Sequence, residues 1–454
     1  MRQEVVTCQE KKLKASRASS RLREIQVPHQ EVDLIVRNAK QLLTLRGGRK
    51  EPRRGSGMTD LGVIENGSVA VQGDHIAAVG TDQEVTRQVF IGARTEVVDA
   101  SGRVVMPGFV DPHTHPVFAG TREEEFELRL KGASYPEIAS AGGGIRSSVR
   151  RLRQATAEEL FQDALPRLNR MLSHGTTTME AKSGYGLDLT NELKTLEVIA
   201  KLNRDHPLDL VPTFLGAHEV PDEYRQDREE YIRLIEEEMI PRVVADDLAE
   251  FCDIFCEQDV FDVFESRRIL TAAREAGLKL KLHADELAAS GGSQLAAELG
   301  AISADHLVYT DADGIAAMAA AGVIPVLLPG TTFFLRGERY APAREMIAAG
   351  LPMALATDLN PGSCMTESMP MILTLACLNM GLLPSEAISA ATVNAAWAVD
   401  RGRMVGSLEQ GQRADLVIWD MDNYKILPYH YGVNLVDTVI KSGRLVYRDG
   451  QFHI

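Results

Sequence analysis

Two histidines one residue apart, His113 and His115, follow the apolar run Val104-Val105-Met106-Pro107-Gly108-Phe109-Val110 and its break at Asp111-Pro112. In extended backbone, residues i and i+2 point to the same side, so both imidazoles can meet one cation. An apolar run closed by a turn signal reads as a buried parallel strand, with the two imidazoles at its tip. The plainer alternative is a loop that happens to carry two histidines, and the rest of the chain weighs against it.

Other residues with chemistry in their side chains recur at intervals: Lys182 and Tyr185, His218, Glu257, His283 and Glu286, His306, and Asp358. Each lies at or just past the end of a stretch with strand character, at 176–180, 210–215, 251–256, 278–282, 304–307, 323–328 or 353–357. With the opening run these make eight candidate strands. Amphipathic stretches at 158–173, 191–203, 266–276 and 292–299 lie between them, and strand alternating with helix predicts a parallel sheet closed as a (β/α)₈ barrel. In such a barrel the active site sits at the C-terminal ends of the strands. Five of the eleven histidines fall there, whereas chance would scatter them.

A His-x-His pair with a distant His and Asp offers three neutral nitrogens and one carboxylate. That set suits zinc or iron and leaves a position open for water, which such a cation activates at neutral pH. Glu286, three residues beyond His283, is placed to reach a substrate; a salt bridge that only steadies the ligand is its alternative. His306 is placed to hydrogen-bond a nucleophile or an oxyanion, or to serve structure alone. In two-metal relatives of this architecture a strand-end lysine is carboxylated and bridges both metals; Lys182, on the second predicted strand before a Gly-Tyr-Gly turn, reads instead as structural, with one metal.

The two ends of the chain read differently. Short β runs at 34–36, 42–44, 67–71, 76–79 and 96–99 are answered by runs at 414–420 and 436–440 and a hairpin-like ending at 443–450. They predict one composite β-sandwich from residues 31–105 and 403–454, flanking a barrel over 106–402. Residues 1–30 are polar and rather basic and read as a disordered tail, with Glu4, Glu10 and Glu24 arguing against a transit peptide. The Arg-rich insert at 46–55 reads as a flexible surface loop.

Composition narrows the class. The formal net charge of −15 argues against nucleic acid or an anionic membrane as partner, so a small-molecule substrate is expected. No apolar run approaches the roughly 20 residues of a bilayer span, and the N-terminus lacks a secretory core. Five cysteines, an odd number in a large chain, suggest reduced thiols and a cytoplasmic setting. The assembly state stays open, a homodimer included.

The chain resembles the amidohydrolase superfamily of metal-dependent hydrolases. The matching segments are Pro107 through His115, Phe118-Ala119-Gly120-Thr121-Arg122, Tyr135 through Ile145, Lys182-Ser183-Gly184-Tyr185-Gly186-Leu187 and Phe214 through His218. They continue with His283-Ala284-Asp285-Glu286, Ser303-Ala304-Asp305-His306 and Ala356 through Ser363. The resemblance covers roughly residues 31–450. His-x-His marks only the superfamily, whereas the Gly-Thr-Arg, Ser-Gly-Tyr-Gly and Asp-x-Asn-Pro-Gly elements together are similar to its branch in histidine degradation. That branch hydrolyses the ring amide of 4-imidazolone-5-propanoate to N-formimidoyl-L-glutamate, which is the activity the resemblance implies. It implies one Zn²⁺ or iron ion on His113, His115, His283 and Asp358. It implies substrate contacts from Arg122, Tyr185, His218, Glu286, Asn360, Gly362 and Ser363, and proton transfer divided among Glu286, His306 and Asp358. Arg122 suits the propanoate, which a guanidinium can pair bidentately. The first 30 residues and the insert near residue 50 depart from the family, both outside the matched site. Two alternatives remain: a nucleobase deaminase on the same scaffold, for which a carboxylate clamp would have no use, and a non-catalytic barrel, against which the complete ligand set argues.

Overall fold

The computed structural model describes residues 31–133 and 142–453; the tail expected at 1–30 and Tyr135 of the matched segment lie outside them. Eight parallel strands run in chain order around a barrel: Phe109–Asp111, Thr176–Lys182, Asp209–Ala217, Phe251–Cys256, Lys279–Ala284, Ser303–His306, Ile324–Leu327 and Ala354–Leu355. Each pairs in parallel with the next. A parallel bridge between Thr114 and Leu359 joins the last to the first. The connecting helices start where their caps dictate. Thr156 and Glu159 form a capping box on Ala157–Ser173, Asp188 caps Leu189–Asp205, and Asp262 with Glu265 boxes Val263–Glu275.

Both termini build a second sheet of nine strands. Within it Leu34–Leu43 lies between Val63–Gln72 and Val104–Pro107, and Val104–Pro107 pairs antiparallel with Leu416–Trp419. The sheet curls over on itself. Ile76 near one edge shares a buried cluster with Ile440 near the other, and Ile76 N donates to Gln412 O at 2.8 Å. Alternation sends Leu34 and Val36 into this inner cluster, while Ile35 faces an outer one with Val85 of the helix Asp82–Gln88. Val417, Trp419 and Val439 instead join the large core they share with the barrel.

The apolar run 104–111, which reads as one strand, is two strands in two different sheets. The break is at Gly108, where a Cβ would lie 2.3 Å from the Thr177 side chain. That crowding lets Phe109 begin the barrel directly beside Thr176, its partner in the ladder. The Arg-rich segment expected as a flexible surface loop is tied down. Arg53 N donates to Asn394 Oδ1 at 2.8 Å, and Trp397 Nε1 donates to Gly48 O at 2.8 Å, both partners lying on the helix Val393–Ala398. Among the described residues, no helix is long and apolar enough to cross a membrane.

Because the Gly108 contact joins the two sheets, Gly108→Ala is expected to overpack it at a cost of about 1–3 kcal/mol. A lowered urea midpoint with unchanged slope is the outcome that checks this; a midpoint equal to that of the unsubstituted protein would refute it.

Candidate active site

The segment after the first barrel strand stays extended because it is clasped from both sides. Asp358 N donates to His113 O at 3.0 Å, His115 N to Leu359 O at 2.9 Å, and Lys182 N to Thr114 O at 3.0 Å. His113 and His115 therefore project together at the C-terminal end of the barrel, beside Asp358. His113 Nε2 lies 3.5 Å and His115 Nε2 3.6 Å from Asp358 Oδ1. His283 closes the group, its ring centroid 4.4 Å from that of His113 and 5.6 Å from that of His115. His306 is 5.2 Å from His283, and His218 stacks on His115 at 5.1 Å.

These separations fit a metal. Two donors each ~2.1 Å from one ion at a tetrahedral angle stand about 3.4 Å apart, which matches the His–Asp spacings. His113 Nε2 is buried with no hydrogen-bond partner among the described residues, a cost that a cation would relieve. Burial holds the His113, His115 and His306 imidazoles well below the ordinary histidine value, so they are neutral, as coordination requires. Burial also pushes Asp358 up to about 6, against the hydrogen bond it accepts from Thr331 Oγ1 at 2.5 Å. Burial raises Glu286 to about 8, helped by the nearby charge of Asp358; its Oε2 lies 3.5 Å from His306 Nε2.

A cavity of about 610 Å³ opens above the imidazoles, lined by His115, Tyr185, His218, His283, Glu286, His306 and Asp358 toward its floor and by Arg122, Asn360, Gly362 and Ser363 on a wall. Every residue expected to contact substrate therefore faces one space. Their local supports differ. His218 Nδ1 donates to Gly184 O at 2.9 Å; Gly184 sits at φ +111°, and a Cβ there would meet His218 Nδ1 at 2.9 Å. Tyr185, next along this turn, is a neutral phenol whose ionisation burial opposes. Arg122 lays Nη1 over Gly362, where a Cβ would come within 2.2 Å. Its opposite edge is taken by Glu125 Oε2, with Nε at 2.9 Å and Nη2 at 2.6 Å. Asn360 uses its amide to shape its own loop: Nδ2 donates to Asp358 O and Ser363 Oγ at 2.8 Å, and Oδ1 accepts from Gly362 N and Ser363 N at 2.8 Å.

Three ends of barrel strands carry left-handed backbone at non-glycine residues, Asp285 at φ 51°, His306 at 73° and Asp358 at 54°. Such conformations persist only where the surroundings over-determine them. Asp285 shows how: Oδ1 accepts from the backbone of Ser290, Gly291 and Gly292 at 3.0–3.1 Å, and Oδ2 from Thr310 Oγ1 at 2.6 Å. Glu257, a strand-end candidate, accepts from Leu287 N at 2.9 Å, which steadies the turn carrying Glu286.

Sequence reasoning overlooked a layer beneath the imidazoles. Asp305 Oδ2 lies 2.6 Å from His113 Nδ1, and Asp253 Oδ2 lies 2.9 Å from His283 Nδ1, the second contact close but poorly aligned. Lys182 Nζ meets Asp253 at 2.7 Å and Glu180 at 2.8 Å, so it is a salt-bridged ammonium. Burial opposes that charge, yet Asp253 and Glu180 hold it above the ordinary lysine value. The available signal was a charged residue inside an otherwise buried strand, as in Phe251-Cys252-Asp253-Ile254-Phe255, and at i−2 from a ligand candidate, as Lys281 is to His283.

The sequence model of the amidohydrolase family matches residues 104–446. An imidazolonepropionase of Geobacillus kaustophilus is 52% identical over 93% of this chain and 99% of its own length. An imidazolonepropionase of Symbiobacterium thermophilum is 52% identical over 92% of this chain and 98% of its own. Among solved structures, a zinc-bound adenosine deaminase from Xanthomonas campestris superposes with a TM-score of 0.70 at 20% identity, covering 94% of this chain and 95% of that one. A triazine hydrolase variant does so at 0.69 and 15%, covering 93% and 96%; at such identities the likeness is one of fold. The chain belongs to the amidohydrolase family, and within it lies beside the imidazolonepropionases.

Proposed function

We propose that this protein hydrolyses the ring amide of 4-imidazolone-5-propanoate to N-formimidoyl-L-glutamate, a step of histidine degradation, using one Zn²⁺ or iron ion per chain. The observation that carries this reading is half identity to proteins of that name along nearly their whole length. His113, His115, His283 and Asp358 would hold the ion. When bound, it supplies hydroxide at neutral pH and polarises the ring carbonyl.

The chain's own residues do the rest. Asp358 accepts the proton of the water that adds to the carbonyl. Glu286, kept protonated by burial up to about pH 8, gives its proton to the departing ring nitrogen. His306, neutral for the same reason, donates a ring N–H to the developing oxyanion. Arg122 pairs the propanoate through Nη1, its other edge being held by Glu125. Tyr185, His218 and the 360–363 loop enclose the ring. The setting we propose is the cytoplasm, where the buried thiols of Cys252, Cys256 and Cys364 stay reduced.

Glu286→Gln is expected to keep its metal and to bind substrate while losing about 10²–10⁴ in turnover, the usual cost of removing a general acid. Stopped-assay kinetics with metal analysis decide it: near-normal kcat would give Glu286 a structural role and leave proton transfer to Asp358 and His306.

Arg122→Ala is expected to raise KM strongly with metal content unchanged, and to lower Tm modestly because Glu125 loses its ion pair. Losing one partner of a desolvated charge pair costs about 2–5 kcal/mol, or roughly 30- to several-thousand-fold in kcat/KM. Arg122→Lys should recover only part, because an ammonium cannot hold Glu125 on one edge and offer a fixed planar donor to the propanoate on the other. An imidazolone without the tail should be a poor substrate and indifferent to both substitutions. Its turnover at the full rate by the unsubstituted protein would remove Arg122 from this role and favour deaminase chemistry.

A further inference from the structure

Beneath the imidazoles, inside the barrel, five ionisable side chains have no solvent exposure: Glu180, Lys182, Asp253, Lys281 and Asp305. Lys182 Nζ stands 2.7 Å from Asp253 Oδ2, 2.8 Å from Glu180 Oε2 and 3.9 Å from Asp305 Oδ2. Lys281 Nζ stands 3.1 Å from Glu180 Oε1 and 3.9 Å from Asp305 Oδ2, and donates to Pro112 O at 2.7 Å. Burying so many charges costs several kcal/mol per ion before pairing, and apolar side chains of like volume would serve stability as well. The cluster therefore calls for a reason other than stability.

The reason lies in the second contact that two of the carboxylates make. Asp305 Oδ2 is 2.6 Å from His113 Nδ1, and Asp253 Oδ2 is 2.9 Å from His283 Nδ1. A carboxylate facing an ammonium is ionised and can only accept, so His113 carries its proton on Nδ1, and the close but poorly aligned Asp253 contact favours the same tautomer in His283. In a neutral ring Nε2 then keeps its lone pair, and in His113 that atom lies 3.5 Å from Asp358 Oδ1.

We infer that Asp305 and Asp253 are positioning residues that fix the tautomer and ring orientation of His113 and His283, and that Lys182 and Lys281 are the built-in cations that keep both carboxylates in that role. The inference rests on the reading that these two histidines hold a metal. The lysines also account for a single ion. His113, Glu180 and Asp305 come close enough to gather a second cation, but both lysine ammoniums already occupy that neighbourhood.

The test titrates metal-free protein with Zn²⁺ alone against a chelator of known affinity. Asp305→Asn can still accept from Ser303 Oγ, now at 2.6 Å, but its amide can donate to the ring and favour the wrong tautomer. Zn²⁺ affinity is expected to fall about 10- to 100-fold, with the metal-free Tm nearly unchanged and the stabilisation by metal reduced. Asp253→Asn should do the same. Unchanged affinity in a folded Asp305→Asn protein would overturn the inference. Should that variant not fold, ¹⁵N spectra of histidine-labelled, metal-free unsubstituted protein, assigned with His113→Gln, decide it: a proton on Nδ1 of His113 supports the inference, and a proton on Nε2 overturns it. His113→Ala separates the two levels. If it leaves Zn²⁺ affinity intact, the metal reading fails; if it abolishes binding while Asp305→Asn does not weaken it, only this inference fails.

Discussion

Closing a parallel barrel of eight strands requires the last strand to pair with the first, and here that pairing falls on residues with chemistry. The seam consists of the Thr114–Leu359 bridge and the backbone bonds between His113, His115, Asp358 and Leu359. The hydrogen bonds that shut the barrel are the same ones that bring two imidazoles within 3.6 Å of a carboxylate more than two hundred residues away in sequence. The eighth strand itself is only Ala354–Leu355. Its short ladder is extended by Thr357, whose N and Oγ1 donate to Asp111 at 3.1 and 2.6 Å. Fold and site thus share one set of contacts, and neither can shift without the other.

Desolvation then sets the electrostatics. The same burial that keeps the His113, His115 and His306 imidazoles neutral raises Glu286 to about 8 and would strand the deeper carboxylates, were it not for Lys182 and Lys281. From the floor upward the barrel holds ammoniums, carboxylates, imidazoles and finally the cavity. Only its outer wall, at Arg122 and Glu125, returns to partly exposed charge, with both side chains 13% exposed. The proposed binding of an anionic tail at the wall and of a reacting ring above the imidazoles is compatible with that gradient.

Much of this was legible in the sequence, and particular residues show why. His113 and His115 are neighbours in the chain and obey the two-residue period of extended backbone, so their convergence could be read directly. Alternating strand and helix gave the barrel, and β-rich ends gave the terminal sheet. Relations across the barrel could not be read in this way. Asp305 supports His113 from the sixth strand and Asp253 supports His283 from the fourth, and nothing local marks those pairings. The split of the 104–111 run was hidden because both of its halves are apolar; only the lack of space at Gly108 divides them. Asn360 reads as a substrate contact, but the bonds of its amide close its own loop.

The central claim is that the barrel seam builds one metal site from His113, His115, His283 and Asp358. Anomalous diffraction from crystals of metal-loaded protein, collected on both sides of the zinc and iron absorption edges, tests it most directly. The account predicts a single peak per chain among His113 Nε2, His115 Nε2, a His283 nitrogen and Asp358 Oδ1, with Lys182 as an unmodified ammonium between Glu180 and Asp253. A second peak near Glu180 and Asp305, a carboxylated Lys182, or density for the ion away from Asp358 would contradict it.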